Sequence, residues 1–348
     1  MKIYKSDKFF IWVAGLLLLT IIIFMISEYT NKPNENYQYS MTKNSMRANI
    51  KNKLTPLSQP YYAWLWDYSY ISNKSKQKLL LKFAEDNNIK TIFLNIGEYV
   101  DLKESGKNQQ EISTFFATLK KFLLDSKKQN TEVEALFGAP NWSNDSHFYL
   151  IEMILNDVVF HDDIKFSGVH IDIEPHGQKN FSKNKNKYYT NYLNAIKYIA
   201  QQLDKQRTMG KISHDFKFSI DIPHWYDDQK TKLEYDGKNQ PVFYHLIDIL
   251  EKYYPQSRLV LMSYDIKNNG KKAIDKSTTE LEYLSNRNSP IKIIIGQEFT
   301  KQPQEKITFF NSDYQSINLN LKSIDNAFKD KNSYEGVALH TISALMKK

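Results

Sequence analysis

The sequence predicts an α/β protein, a (β/α)8 TIM barrel preceded by one N-terminal transmembrane helix, and three observations carry that prediction. After Tyr61, short apolar runs alternate eight times with helix-like segments. Most of these runs are apolar throughout, as strands covered on both faces must be. No Gly-rich phosphate loop follows any of them, which turns the alternation away from a nucleotide-binding sheet and towards a closed barrel.

The N-terminus comes first. Residues 1–8 form a basic stretch with Lys2, Lys5 and Lys8, and residues 9–27 are an uncharged run, FFIWVAGLLLLTIIIFMIS. Such a helix spans about 28 Å, enough to cross the hydrocarbon core. The run ends Met25-Ile26-Ser27-Glu28 with no small-residue cleavage site, which favours a retained signal anchor over a signal peptide. The lysines before it put the N-terminus in the cytoplasm and the remainder in the periplasm or outside the cell. Residues 28–60, rich in Asn, Lys, Ser and Pro, are expected to be a polar tether, and residues 61–348 the barrel.

Within that barrel the expected strands are 63–66, 91–96, 133–137, 168–173, 216–222, 259–264, 291–295 and 337–342. Amphipathic helices are expected at 74–86, 110–127, 188–205 and 243–253, among others. Few residues follow the eighth strand, so the last helix must be short or come from another segment.

Composition narrows the function. The formal charge is +8, but the basic residues are scattered and mostly lysine, so no nucleic-acid-binding stripe forms. With no cysteine, disulfides, thiolate metal sites and cysteine nucleophiles are excluded. No cofactor and no resident metal are expected, and the sequence says nothing of oligomeric state.

In barrels of this kind the working side chains stand at the C-terminal ends of the strands. Those ends carry Trp66, Asp67, Asn95, His170, Asp172, Glu174, Asp221, Tyr264, Asp265, Gln297, Glu298 and His340, with Trp142 and Trp225 just beyond two of them. The fourth strand is the most informative. In Val169-His170-Ile171-Asp172-Ile173-Glu174 polar and apolar residues alternate strictly, so His170, Asp172 and Glu174 share one face. The apolar face suits the helices, and the ionisable one points into the barrel. Three charged groups in line there are costly unless paired or functional.

The segment from Phe166 to Glu174 resembles the D-G-x-D-x-D-x-E strand of chitinase-like, family 18 glycosidases. Met262-Ser263-Tyr264-Asp265 is similar to that family's M-x-Y-D/N segment on the sixth strand. The resemblance implies Glu174 as general acid and Asp172 as the group that orients a substrate acetamido group. It implies Tyr264 and Asp265 as a clamp on that group, whose own oxygen attacks the anomeric carbon. Ser167 and His170 stand where the family has aspartates, and Leu339-His340 where it has Trp. The blocks GVHIDIEP, GQE and GVALH also resemble uncharacterised bacterial barrels thought to be glycosidases.

A second reading pairs Glu174 as acid with Glu298 as nucleophile or base, the two-carboxylate arrangement of other barrel glycosidases. Either way an oligosaccharide or polysaccharide of the envelope or exterior is the expected partner. Substrate contacts are expected from His170, Tyr264, Asp265, Trp66, Asp67, Asp221, Trp142, Trp225 and His340. Two rivals use the same fold. A metal-dependent hydrolase would draw on His170, Asp172, Glu174, Asp265 and His340, although alternate strand residues stand about 6.5–7 Å apart. A non-catalytic glycan-binding barrel would use Trp64, Trp66, Trp142, Trp225 and Tyr226.

Overall fold

The computed structural model describes residues 53–106 and 108–348. The expected membrane anchor and all but the end of the expected tether lie outside these residues. No described helix is long and apolar enough to cross a membrane.

Eight parallel strands close a barrel: β1 Tyr61–Leu65, β2 Ile89–Asn95, β3 Glu132–Phe137, β4 Gly168–Ile171, β5 Lys217–Pro223, β8 Ser257–Met262, β9 Lys292–Glu298 and β10 Tyr334–His340. Each pairs with its predecessor, and β10 returns to β1. Every expected strand is present, shifted by a few residues at its ends. The one addition is a hairpin, β6 Leu233–Tyr235 and β7 Lys238–Gln240, in the excursion between β5 and β8. The expected helices appear as α1 Lys74–Asp86, α3 Gln109–Lys128, α4 Lys185–Thr208 and α5 Val242–Tyr253, with the short α2 Glu98–Glu104 between the first two. Further along come α6 Tyr314–Phe328 and the short α7 Ile342–Leu345, which follows β10. Before β1, residues 54–58 are held by side chains of other elements. Leu54 N–H donates to Asn87 and Thr55 N–H to Asn318, while Ser58 makes two hydrogen bonds to Asp325.

Strand alternation sorts the side chains into two cores. Val169, Ile171 and Ile173 face outwards with Ala63, Ile220 and Leu339, packed under the helices. Tyr62, Trp64, Phe93, Leu136, Val260, Ile294 and Ala338 fill the barrel itself, with Trp66 against them. Beneath this inner layer lies an ion plug. Arg258 on β8 donates to Glu134 on β3 at 2.7 Å and reaches Glu335 on β10 at 2.8 Å. The guanidinium also lies 5.3 Å from the Tyr62 ring centroid. Buried charges persist only when paired in this way, and the plug closes the end opposite the strand C-termini.

Candidate active site

The C-terminal ends of the strands bring an acidic cluster together. His170 points inwards, its ring 4.0 Å from that of Phe93. Its Nε2 stands 2.8 Å from Asp221 Oδ2 without a hydrogen bond to it, and that oxygen accepts the Trp64 indole N–H at 3.0 Å. Burial and the cation of Arg258 depress the His170 pKa to about 3, against the pull of Glu134, so the ring is neutral. Asp221 is 2% exposed, and its Oδ1 has no hydrogen-bond partner. Burial lifts its carboxyl to about 8, although the Trp64 donor opposes the rise.

Asp172 follows on the same face, just past the end of β4. Its N–H still donates to Phe137 O at 3.1 Å, so the β3 ladder continues to hold it. Its Oδ1 is buried without a partner. Burial, then Asp221 and Glu174, drive its pKa well above the ordinary carboxylate range. Gly138, at the end of β3, makes room for this turn. Its φ is +141°, and a Cβ there would lie 2.3 Å from the Asp172 carbonyl oxygen, so no other residue fits.

Glu174 is the accessible member, with its side chain 33% exposed and His176 Nε2 at 3.4 Å. Burial raises its pKa; His176 opposes the rise and Asp221 adds to it. The His176 ring meets that of Trp225 at 5.2 Å, so an aromatic rim borders Glu174. Tyr264 completes the group. Burial and the carboxylates of Asp221, Glu298, Asp172 and Glu174 all raise its pKa, which keeps the phenol a proton donor.

A second network stands beside the first. His340 accepts the Trp66 indole N–H at Nε2 (2.9 Å), and its Nδ1 lies 2.9 Å from Glu298 Oε2. The Trp66 donor needs Nε2 unprotonated, so the shared proton is on Nδ1. Burial lowers the His340 pKa, but Glu298, Asp221 and Asp172 outweigh it and raise the value overall; a second proton would still have to displace the Trp66 N–H. Glu298 also accepts from Thr300 N–H at 2.6 Å and Gln302 Nε2 at 3.1 Å. Burial would raise its pKa, yet these donors hold it below the ordinary range, ionised and 2% exposed.

The expected residues therefore separate. Asp172, Glu174, Asp221, Tyr264 and His170 converge, and Trp66, His340 and Glu298 form the adjoining network. Trp225 stands at the rim, while Asp67 and Trp142 line a groove to one side. Asp265 does not join them. It accepts the Lys267 N–H at 3.1 Å and pairs with Lys276 at 3.3 Å, away from its neighbour Tyr264. The five ligands of the metal reading do not converge either, and among the described residues no three His, Asp or Glu side chains form a metal-holding group. Tyr192 escaped the sequence reading, and Tyr226 entered it only as an aromatic for sugar stacking. The hydroxyls of Tyr192, on α4, and Tyr226 are buried without partners, both close enough to Asp172 and Glu174 to feel their charge, and Tyr192 that of Asp221 as well.

The fold and the cluster at its mouth define a (β/α)8 barrel with an acidic centre built on β4 and β5. Solved structures that it resembles include a β-glucosidase from Exiguobacterium marinum, at TM-score 0.51 and 8% identity over 82% of this chain and 90% of that one. A family 1 β-glucosidase from Thermotoga maritima aligns at TM-score 0.49 and 12% identity, covering 83% of this chain and 89% of that one. A GH18 chitinase from Pseudoalteromonas aurantia aligns at 0.48 and 13%, covering 83% and 97%. At such identities the likeness is one of fold. No family model matches the sequence, and no curated protein does.

Proposed function

We propose that this barrel is a glycoside hydrolase in which Glu174 is the general acid and Asp172 the partner that positions a substrate N-acyl group. One observation carries the reading: Glu174 is the exposed end of a buried carboxylate cluster that raises its pKa. A general acid must hold its proton towards neutrality and reach a leaving-group oxygen; this environment shifts Glu174 in the first direction, and its partial exposure allows the second. Asp172, with a raised pKa and an oxygen free of protein partners, is suited to hydrogen-bond an acetamido N–H or to hold a proton beside it. Tyr264 offers a phenol to the same group. The acetamido oxygen then attacks the anomeric carbon, forming the C–O bond of a cyclic intermediate as the glycosidic bond breaks. Glu174 gives its proton to the departing oxygen and afterwards takes one from the incoming water.

Glu298 is less suited to the nucleophile's role. Three donors occupy it and little of it is exposed. Its work in this reading is to hold His340, and through it Trp66. The apolar run 9–27 anchors the enzyme, with the barrel on the non-cytoplasmic side, where it would meet an envelope or extracellular glycan.

The experiment is hydrolysis of paired aryl glycosides, N-acetylhexosaminides against the matching hexosides. Substrate-assisted attack predicts turnover confined to the N-acetyl series. Equal turnover of both would overturn that mechanism, and no turnover of any sugar would favour the glycan-binding reading. A phosphatase fused after residue 348 tests the topology: activity only on the cytoplasmic side would refute the proposed orientation.

A further inference from the structure

Two buried hydroxyls beside the acidic cluster have no work in the mechanism so far. Tyr192 is 0% exposed and Tyr226 1%, and neither hydroxyl has a hydrogen-bond partner among the described residues. A stranded buried hydroxyl destabilises a fold, and phenylalanine would fill the same space without that cost. Packing accounts for the rings alone. Tyr189, Tyr192, Leu193 and Ile196 recur at i, i+3, i+4 and i+7 along α4 and belong to its buried face. The Tyr192 ring meets that of Tyr226 edge-on at 5.9 Å, and Tyr226 meets Tyr189 at 5.6 Å. The Tyr226 backbone is fixed as well. Its N–H donates to Pro223 O at the end of β5, and its carbonyl accepts from Phe243 N–H and the Thr231 hydroxyl. Both phenols are held in place by contacts that ask only for an aromatic ring.

The oxygens belong to a different neighbourhood. α4 is the helix that follows β4, and Tyr226 lies just past the end of β5, so both tyrosines sit in segments leaving the strands that bring Asp172 and Asp221. Asp172 Oδ1 and Asp221 Oδ1 are buried acceptors that likewise lack partners. Burial above all, with the nearby carboxylates adding to it, raises both phenols far beyond their ordinary value. Each therefore remains an uncharged donor. Orphaned donors and orphaned acceptors share one buried cluster.

We propose that Tyr192 and Tyr226 are positioning residues whose hydroxyls donate to Asp172 Oδ1 when the Asp172–Glu174 pair carries negative charge. This role rests on the glycosidase reading and deepens it. In the resting cluster burial favours protonated carboxyls, and the hydroxyls are idle. When Glu174 gives its proton to the departing oxygen, a carboxylate charge appears beside Asp172. Asp172 must at the same stage accept the acetamido N–H, which a carboxylate does better than a protonated acid. Two O–H dipoles already fixed in place stabilise that charge without reorganising. The other titratable groups around Asp172 and the two phenols are Asp221, Glu174, His340, Tyr189 and Tyr264. Asp221 and Glu174 oppose a charge on Asp172, and His340 favours it.

The test compares the full-length chain with Tyr192→Phe, Tyr226→Phe and the double variant, in a non-ionic, sugar-free detergent, by thermal unfolding and by kinetics. At pH 5, with the cluster protonated, each single variant should melt about 2 °C above wild type, because an idle buried hydroxyl is gone. The folded pKa of Asp172 already lies above its unfolded value, and loss of the donors raises it further. The variants therefore lose stability relative to wild type as pH rises through the wild-type titration, so the gain should shrink or reverse towards pH 9. In an Asp172→Asn background it should stay constant with pH. For an aryl N-acetylhexosaminide with a poor leaving group, kcat/KM should fall roughly ten- to hundred-fold in the double variant. A gain equal at pH 5 and pH 9, a pH-dependent gain that survives Asp172→Asn, or an unchanged kcat/KM would each overturn the proposal. A pH-dependent gain in a protein that turns over no glycoside would sink the glycosidase reading and leave the donation to Asp172 standing. Turnover with a constant gain would do the reverse.

Discussion

Replacing Arg258 with methionine removes the guanidinium that pairs with Glu134 and Glu335 in the floor of the barrel. Its side chain is 3% exposed and its partner Glu134 is fully buried, 2.7 Å away. Glu335, at 2.8 Å, is 23% exposed and can turn to water. Glu134 cannot, and its Oε2 already lacks a partner. Breaking a buried pair from one side typically costs about 3–5 kcal/mol, because the remaining charge is stranded. For a barrel of this size that lowers the melting midpoint by roughly 10 °C. Glu134 has one escape, which is to take up a proton. Burial then holds its folded pKa above the unfolded value, so the penalty is small below the unfolded pKa and grows as pH rises above it. The variant should therefore lie closest to wild type near pH 5 and furthest from it near pH 8. Adding Glu134→Gln should recover most of the loss, since no charge is left behind. Urea unfolding followed by tryptophan fluorescence at both pH values measures all of this. A cost below about 1 kcal/mol at both, or the same cost in the Glu134→Gln background, would refute the reasoning.

Two further changes probe the site. Asp221→Asn keeps an acceptor for Trp64 but removes a carboxyl whose folded pKa, about 8, exceeds its unfolded one. Asp221 therefore destabilises the barrel progressively as pH rises from about 4 to 8. The variant should gain stability relative to wild type across that window, and a gap that stays constant with pH would contradict the assignment. Trp66→Phe removes the indole donor from His340 Nε2 and frees that nitrogen for a proton. The His340 pKa, followed by NMR, should rise above its wild-type value; a fall would mean that Trp66 does not set the tautomer.

Much of this was legible in the sequence because each signal was strong and local. All eight barrel strands could be read because both faces of most are buried, and a continuous apolar run survives small errors at its ends. The inward face of β4 followed from the alternation of His170 and Asp172 with Val169, Ile171 and Ile173. Other features depend on who meets whom across the barrel. Asp265 neighbours Tyr264 in sequence, yet it turns to Lys276, and nothing local announces that. Arg258, Glu134 and Glu335 lie far apart in the chain, so their plug appears only once the barrel closes. Tyr192 reads as one more core position on an amphipathic helix, although its hydroxyl lies near the acidic cluster. The β6–β7 hairpin did leave a trace. Asp236-Gly237 supplies the two positive-φ residues of a tight turn, but the flanking strands are three polar-rich residues each and carry no alternation.

The role of Glu174 is tested most directly by leaving-group dependence. A general acid matters most when the departing alcohol is a poor leaving group and hardly at all when it departs unaided. Wild type and Glu174→Gln should be compared on aryl N-acetylhexosaminides whose phenols span a range of acidity. A loss in kcat/KM of about 10²–10⁴-fold is expected for the least acidic phenols, shrinking towards unity for a dinitrophenol. A loss of the same size across the series would contradict proton donation by Glu174, and no loss at all would remove it from the active site.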